Sequence, residues 1–466
     1  MTAGTTPIPA AGDPTDTSAL LSLADQVVAL VERRDAGDDA TIEADVSINR
    51  TRHGLTRFAN SFIHQHVGED AISVTLTLAV DGRTTTASTT ATDADSLGQL
   101  VDHAVASARL QPIDPHWPGA SPPAEVSATG NLDTATATAS PDARAALVGD
   151  FVAAGDGLLA AGYCDSELTQ AAFASTAGQR VGGATTRATI DGIHQTNSSA
   201  GSAHGTSIRL DELDADAAGR RAADLALRSQ DYVDLDPGEY EVVLCPEAVA
   251  TILTFLAVYG FNAKSHLEGS SFAQLGEQQF DPAITILVDP TDPRRTGLPF
   301  DAEGSPRQRF ALVQQGTTTA LAHDRRTAAR AGTTTTGNAM PGGAGIGAVP
   351  TDVRLPAGDT SPDELIAGVR RGLLVTAFHY VRILDPKTTV ATGLTRNGTF
   401  LIEDGEVVGA VGNLRFTQSF HHALGDGRVA AVGDDDRYAN GELSAGMVIC
   451  PSLRLAGWSF TGGASG

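Results

Sequence analysis

The stretch AISVTLTLAV at residues 71–80 alternates apolar and polar side chains almost strictly, and Asp81-Gly82 separates it from the run RTTTASTTA at residues 83–91. Alternation of this kind is typical of a β-strand that buries one face, and Asp-Gly is a preferred pair for a two-residue hairpin turn. The sequence therefore predicts an antiparallel hairpin in the N-terminal part of the chain.

Helical and strand-like patterns flank this hairpin. Apolar residues recur at helical spacing between residues 20 and 31, and the pattern returns over residues 94–108, 143–162 and 214–229. Strand-like alternation occupies residues 44–57, 63–67 and 164–208. Residues 1–18 are rich in Thr, Pro, Ala, Gly and Asp, and this composition predicts a disordered leader. An N-terminal α+β domain is predicted over residues 19–235.

The second half of the chain has a different pattern. A short apolar strand at residues 241–244 precedes a helical run at residues 246–259. After residue 285, turn-forming pairs recur at short intervals, and the segment 399–411 is typical of a hairpin about Asp404-Gly405. We predict a C-terminal β-rich domain over residues 236–466, dominated by a large antiparallel sheet. The predicted fold class is α+β.

The charge balance limits the possible partners. The chain of 466 residues has 56 acidic and 32 basic side chains, a net charge of −24. This charge repels nucleic-acid backbones and anionic membrane surfaces, so we expect neither as a partner. The apolar runs are too short for a membrane span, and no signal peptide is visible. The three cysteines cannot form a disulfide framework, so a cytoplasmic location is predicted.

Candidate metal-binding and catalytic residues are few. The His-Glu-x-x-His motif of common zinc proteases and the Gly-x-Ser-x-Gly motif of hydrolases are both missing from the sequence. His64 and His66 have the i, i+2 spacing that places two side chains on one face of a strand, which suits either an exposed polar face or a metal. His421 and His422 are adjacent, so their rings are expected to point apart. No catalytic residue is assigned, and no metal site is predicted.

Several motifs, in the same order along the chain, resemble those of the TldD/PmbA family, whose members were once described as modulators of DNA gyrase. The first is RFANSFIHQ at residues 57–65. Later motifs are SSF at 270–272, LGE at 275–277, DPKT at 385–388, TRNGTFLIEDG at 395–405 and VGNLRF at 411–416. Together they span most of the chain from about residue 20 to residue 465.

The resemblance implies one of two kinds of subunit. TldD-like subunits hold a zinc ion with His-Glu-x-x-x-His on a helix and a cysteine near the C-terminus, whereas PmbA/TldE-like subunits lack these ligands. In this chain the matching helix spans residues 248–262 and contains neither His nor Glu. The third ligand is expected near residues 437–440, where no Cys occurs. The chain thus resembles the PmbA/TldE-like subunit, without a cofactor of its own.

The resemblance also implies a partner and a substrate. Subunits of the two kinds pair into a cytosolic metallopeptidase that degrades or processes unfolded or flexible peptides, with zinc held by the TldD-like subunit. Two alternatives stay open at this point. In the first, the chain is itself a peptidase or amide hydrolase that acts in peptide or natural-product maturation. In the second, it is a peptide-binding scaffold with no peptidase partner.

Two groups of residues are expected to make contacts outside the chain. If residues 58–66 form one regular strand, then Asn60, His64 and His66 share a face and are positioned to hydrogen-bond an extended peptide. The apolar residues of the helix at 248–262 cover more than one of its faces, so this segment is expected to be buried nearly all round. Part of that burial is expected from a partner at Phe255, Tyr259 and Phe261, in a heterodimer or in a homodimer of the chain alone.

Overall fold

The computed structural model describes residues 13–34, 41–126, 130–343, 345–443 and 447–463. Its helices are α1 Ser18–Arg33, α2 Ala94–Arg109, α3 Thr134–Ala137, α4 Pro141–Ala153, α5 Ala215–Arg228, α6 Pro246–Phe255, α7 Ala263–Leu267, α8 Arg325–Ala331, α9 Pro362–Ala367 and α10 Phe420–Ala423. The predicted α+β class is confirmed. Within the ranges above, no helix is both long and apolar enough to cross a membrane.

The strands of the N-terminal part form one antiparallel sheet in the order β3-β2-β1-β4-β5-β6. These strands are β1 Ile42–Ala59, β2 Phe62–Val80, β3 Arg83–Thr89, β4 Leu159–Ser175, β5 Arg180–Gln195 and β6 Ala200–Ser207. The predicted hairpin is present: Val80 pairs with Arg83, and Asp81 and Gly82 have φ of 49° and 73°. Positive φ at both turn positions defines the turn type that Asp-Gly favours.

The two faces of this sheet have different neighbours, because side chains alternate along each strand. One face is covered by helices. Its apolar residues form one cluster with α1 and α2 around Val46 and a second cluster with α4 and α5 around Phe58. Between the two clusters lies Arg144, which is buried and donates hydrogen bonds to Ser166 Oγ and to the carbonyl oxygen of Ala139. The opposite face is directed toward the C-terminal half of the chain.

The described residues of the C-terminal half form two further sheets. Its strands are β7 Gly238–Leu244, β8 Ile286–Val288, β9 Phe310–Gln314, β10 Thr317–Thr318, β11 Asp352–Arg354, β12 Arg371–Asp385, β13 Val390–Glu403, β14 Glu406–Ala410, β15 Leu414–Ser419, β16 Val429–Val432, β17 Arg437–Ala439, β18 Met447–Cys450 and β19 Leu453–Gly463. In one sheet β12, β7, β19, β15 and β13 pair in a closed ring, with β14 and β16 attached; the other has the order β10-β9-β8-β11-β18-β17. Most pairs are antiparallel, but β7 with β12 and β11 with β18 are parallel.

The structure corrects three local predictions. The helix predicted to reach residue 162 ends at Ala153, because Asp156 and Gly157 adopt positive φ and turn the chain into β4. The leader predicted to be disordered to residue 18 falls largely on residues 1–12, which lie outside the described residues. Residues 13–17 are ordered ahead of α1, and the carbonyl oxygen of Pro14 accepts a hydrogen bond from Gln170 at 3.1 Å.

The third correction concerns the strand predicted over residues 58–66. Asn60 and Ser61, with φ of 51° and 63°, form a two-residue turn between β1 and β2, so the chain reverses direction there. Phe58 is therefore buried while Phe62 is exposed. Asn60 lies in the turn and does not share a strand face with His64 and His66.

Candidate functional site

A cavity of about 900 Å³ lies between the sheet face opposite the packed helices and the C-terminal half of the chain. Its size is within the range of small-molecule binding pockets. The N-terminal sheet contributes, among others, Asp45, Phe173, Arg187, Thr189, His204 and Thr206. The C-terminal half contributes, among others, Phe300, Asp301, Glu303, Arg307, Asp352 and Tyr438. Residues from both halves are thus needed to enclose it.

Asp165 organises the charges at the sheet side of the cavity. Its Oδ2 lies 3.1 Å from Nε2 of His53 and 3.3 Å from Nη2 of Arg187, which also contacts Glu167. The hydrogen bond to Asp165 raises the pKa of His53. Burial lowers the pKa of Arg187, but the charges of Asp165 and Glu167 outweigh it and raise that pKa overall. The guanidinium of Arg187 is therefore a fixed cation on this wall.

His204 stands next to this group on β6. Its Nδ1 lies 2.9 Å from Oδ2 of Asp191 on β5, and its Nε2 lies 2.7 Å from Oγ1 of Thr206. The ring of Tyr438, from the C-terminal half, stacks on it with centroids 6.3 Å apart. Asp191 is paired directly opposite His204 in the sheet, so the register of β5 and β6 creates this arrangement.

The wall formed by the C-terminal half is acidic. Asp301 is buried and accepts hydrogen bonds from the backbone N–H groups of Ala339, Glu303 and Ser305, and burial raises its pKa. Glu303 has a pKa of about 8, raised by burial and by the charge of Asp301. Its Oε2 accepts a hydrogen bond from the backbone N–H of Arg325 at 2.9 Å.

Asp45, on the sheet side, has an intermediate environment. Burial raises its pKa to about 6, while hydrogen bonds from the N–H and hydroxyl of Ser121 and the charge of Arg325 at 3.6 Å act in the opposite direction. The side chain of Arg325 also donates to four backbone carbonyl or hydroxyl oxygens of residues 118–121. These contacts connect α8 to the N-terminal half beside the cavity.

A second region of interest is α6 and the segment 437–442, which lie against each other. Glu247, in the first turn of α6, accepts hydrogen bonds from Nη2 of Arg437 at 2.8 Å with both carboxylate oxygens, and Arg221 lies 3.6 Å away. Burial raises the pKa of Glu247, but the charges of Arg437 and Arg221 outweigh it and lower the pKa overall. The backbone N–H of Glu442 donates to Oγ1 of Thr251 on the next turn.

These residues do not fit a zinc site. Zinc in proteins takes Cys, His and carboxylate ligands, usually four in a tetrahedral arrangement. Glu247 is already engaged by Arg437, and the neighbouring contact is made by the hydroxyl of Thr251. Over the part of the chain that the structure describes, no group of three or more His, Cys, Asp and Glu side chains is arranged to hold a metal ion.

The histidines singled out in the sequence lie outside the cavity lining. His64 is exposed on β2, and Nδ1 of His66 lies 2.9 Å from Oγ1 of Thr56 on β1. His421 stacks on Phe272 at 4.4 Å, and its Nε2 contacts the carbonyl oxygen of Gln279. Nε2 of His422 accepts a hydrogen bond from Arg428 at 2.9 Å. His421 and His422 thus have separate partners, and the roles of Asn60, His64 and His66 stay predictions.

The helix that was expected to contact a partner is covered mainly by its own chain. Phe255 and Phe261 are each 1% exposed and belong to the large apolar core of the C-terminal half. This chain already buries both side chains and leaves them almost no surface for a partner, and their assignment to a partner interface stays a prediction. Tyr259 is partly buried at the periphery of that core and keeps some surface, so a partner contact there stays a prediction.

The polar residues of the cavity wall were not predicted from the sequence, although they occur at alternate positions along their strands. Arg187, Thr189 and Asp191 occur at alternate positions on β5, and His204 and Thr206 do so on β6. Alternation predicts that each set shares a face. The pairing of Asp191 with His204 depends on strand register, which the sequence alone does not define here because many Thr, Ser, Ala and Gly residues permit several registers.

Comparisons with known proteins place the chain among peptidase relatives. Residues 237–462 match the family of the PmbA/TldA metallopeptidase C-terminal domain. A metalloprotease of Methanothermobacter thermautotrophicus is 28% identical over 294 residues, which cover 60% of this chain and 63% of that relative. A metalloprotease TldD homolog of Haemophilus influenzae is 30% identical over 196 residues, 41% of this chain and 38% of the relative. The matched segments thus span less than two thirds of either relative.

The fold of this chain is also similar to that of a protein of known structure. TldE from Thermococcus kodakarensis superimposes with a TM-score of 0.83 at 18% sequence identity, over 94% of this chain and 100% of that one. This likeness extends over both halves, including the N-terminal sheet that the domain match does not reach. The match over residues 237–462 therefore assigns the C-terminal half of the chain to the TldD/PmbA family.

Proposed function

We propose that this chain is the zinc-ligand-less, PmbA/TldE-like subunit of a cytoplasmic TldD/TldE-type metallopeptidase complex that degrades or processes unfolded peptides. The observation that carries the proposal is the contact between α6 and the segment 437–442. The family resemblance implies that a TldD-like subunit holds its zinc with residues at these two places. Here an ion pair between Glu247 and Arg437 occupies the contact instead.

The remaining features are consistent with a supporting role. The cavity of about 900 Å³ is large enough for a short peptide segment. Among the residues that the structure describes, none pairs with residues 62–73 of β2 on the side away from β1, because β3 pairs only with residues 74–80. An open strand edge accepts an extended peptide through backbone hydrogen bonds. Asn60, His64 and His66, at this end of the hairpin, are proposed to contact the substrate, and Tyr259 to contact the TldD-like partner.

Reconstitution with a candidate partner tests the proposal. The chain alone is expected to bind no stoichiometric zinc and to show no chelator-sensitive cleavage of casein or an unstructured peptide. Co-expression with a TldD-like protein carrying His-Glu-x-x-x-His is expected to give a heterodimer with such activity. One tightly bound zinc per chain in the absence of the partner, with cleavage that a chelator abolishes, would contradict it.

The same complex tests the substrate-contact residues. Loss of one hydrogen bond costs about 1 kcal/mol, so His64→Ala is expected to raise KM for the peptide by about fivefold with little change in kcat. His103→Ala, on α2 and away from the hairpin end, serves as the control. An unchanged KM in the His64 variant would leave these residues with a structural role only.

A further inference from the structure

A continuous series of hydrogen bonds on the cavity wall has defined directions. The carboxylate of Asp191 can only accept, so Nδ1 of His204 donates to it across 2.9 Å. In the neutral ring Nε2 then carries the lone pair, and it accepts from the hydroxyl of Thr206 across 2.7 Å. The tautomer of His204 therefore makes it the base toward Thr206.

The other side of Thr206 supports the same direction. Nη1 of Arg187 donates to Oγ1 of Thr189 at 3.2 Å, and Oγ1 of Thr189 lies 3.2 Å from Oγ1 of Thr206. Because the guanidinium only donates, the hydroxyl proton of Thr189 is free to point at Thr206. Thr206 accepts from Thr189 and donates to His204, so its own proton is directed at the base.

The surroundings of this group are those of a protected but accessible site. His204 is 10% exposed and has the ring of Tyr438 stacked against it, whereas Asp191 retains a 35% exposed side chain. His204, Thr206, Thr189 and Arg187 all line the cavity. A hydroxyl bonded to a histidine, which is in turn bonded to a carboxylate, is the arrangement that activates hydroxyl nucleophiles in unrelated folds.

We propose that Thr206 is a nucleophile, with His204 as its general base and Asp191 as the carboxylate that orients the base, and that the chain carries a metal-independent hydrolytic activity toward esters or amides that enter the cavity. This activity is separate from the proposed role as a partner of a zinc subunit. It requires no metal and no second chain.

The reaction balances with water as the only co-reactant. Oγ1 of Thr206 forms a bond to the carbonyl carbon of the substrate while its proton moves to Nε2 of His204. The bond from that carbon to the leaving oxygen or nitrogen breaks, and the leaving group takes the proton from His204 as an alcohol or amine. Water, deprotonated by His204, then attacks the threonyl ester, which releases a carboxylic acid and restores the hydroxyl of Thr206.

An activated ester tests the proposal on the purified chain in the presence of a chelator. With p-nitrophenyl acetate we expect a burst of p-nitrophenol and an acetyl group on Thr206 in the peptide map. Thr206→Val is expected to abolish both, and His204→Gln and Asp191→Asn to slow the burst by about 100-fold or more. Thr206→Ser, which keeps a hydroxyl at this position, is expected to retain acetylation and shows that the site still folds.

The matched control is Thr388→Val. Thr388 is exposed between β12 and β13, outside the cavity lining, and its hydroxyl donates a hydrogen bond to Oδ2 of Asp385 at 2.6 Å. This variant is expected to acetylate at the native rate. If the native chain shows no acetylation at Thr206, or if Thr206→Val reacts as fast as the native chain, the proposal is wrong.

Discussion

Glu247 and Glu303 are both largely buried glutamates, yet their environments drive them to opposite charge states. Glu247 lies between Arg437 and Arg221, whose charges outweigh the effect of burial and lower its pKa. Glu303 lies beside Asp301 and has a pKa of about 8, because burial and the neighbouring carboxylate both favour the protonated form. Burial alone therefore does not determine the charge state of a glutamate in this chain. The sign of the nearest charges determines whether its pKa is raised or lowered.

The region around α6 and the cavity therefore differ in function. At α6, the carboxylate of Glu247 forms an ion pair with Arg437, and its role is structural. In the cavity, a neutral carboxyl at pH 7 can donate a hydrogen bond to a ligand, while the charged form at higher pH cannot. Asp45, with one arginine at 3.6 Å and a pKa of about 6, lies between these extremes.

The largest effect is expected from Glu303→Gln measured against pH. A carboxyl whose pKa rises from 4.5 to about 8 on folding binds more protons in the folded state, so it stabilises the fold below pH 4.5, and this stability is lost as pH rises to 8. Relative to the variant, the free energy of unfolding of the native chain is expected to fall by several kcal/mol over this window.

Denaturant unfolding at several pH values measures this difference directly. Glu406→Gln, at an exposed position of β14, is the control. The difference in the free energy of unfolding between this variant and the native chain is expected not to change with pH. A Glu303→Gln curve parallel to that of the native chain would show that Glu303 is charged in the folded protein.

The next largest effect is expected from Arg437→Gln. Removing one partner of a half-buried ion pair leaves the other charge unpaired, at a cost of about 2–3 kcal/mol in the free energy of unfolding. Arg220→Gln, which breaks the exposed pair with Asp216 on α5, is the matched control and is expected to change stability little. Equal free energies of unfolding of the two variants at pH 7 would show that the ion pair at α6 contributes no more to stability than the exposed pair on α5.

A smaller effect is expected from Asp45→Asn, and at a lower pH. The pKa of Asp45 is raised from 3.8 to about 6, so the stability that it contributes is present below pH 3.8 and lost as pH rises through 6. The difference between the native chain and the variant is expected to change by about 2–3 kcal/mol across this window. If this stability difference changed near pH 8 instead, the protonation of Asp45 would be coupled to that of Glu303.

The sequence predicted the elements that depend on local pattern. Alternation at residues 71–80 and the Asp81-Gly82 turn gave the first hairpin, and the apolar run after Pro246 gave a buried helix. The turn at Asn60-Ser61 was missed because Asn-Ser is a weaker signal for a hairpin than Asp-Gly, and strand-like residues continue on both sides.

The sites depend on contacts that no local pattern describes. The pairing of Glu247 with Arg437 joins residues 190 positions apart, and the cavity needs the N-terminal sheet to meet segments near residues 300 and 438. A resemblance to a family indicated that α6 and residues 437–440 belong together. It gave no information about His204 and Thr206, because these residues lie outside the motifs that carry the resemblance.

The two apolar clusters of the N-terminal sheet have a consequence for how quickly the chain can fold. They lie on opposite sides of Arg144 but share β1 and β4, which run through both without a break. Pairing these strands brings Ala44 next to Thr176, 132 positions later. Because such distant pairing must precede the closure of either cluster, the N-terminal half is expected to fold slowly and as one kinetic unit, with both clusters formed in the same step.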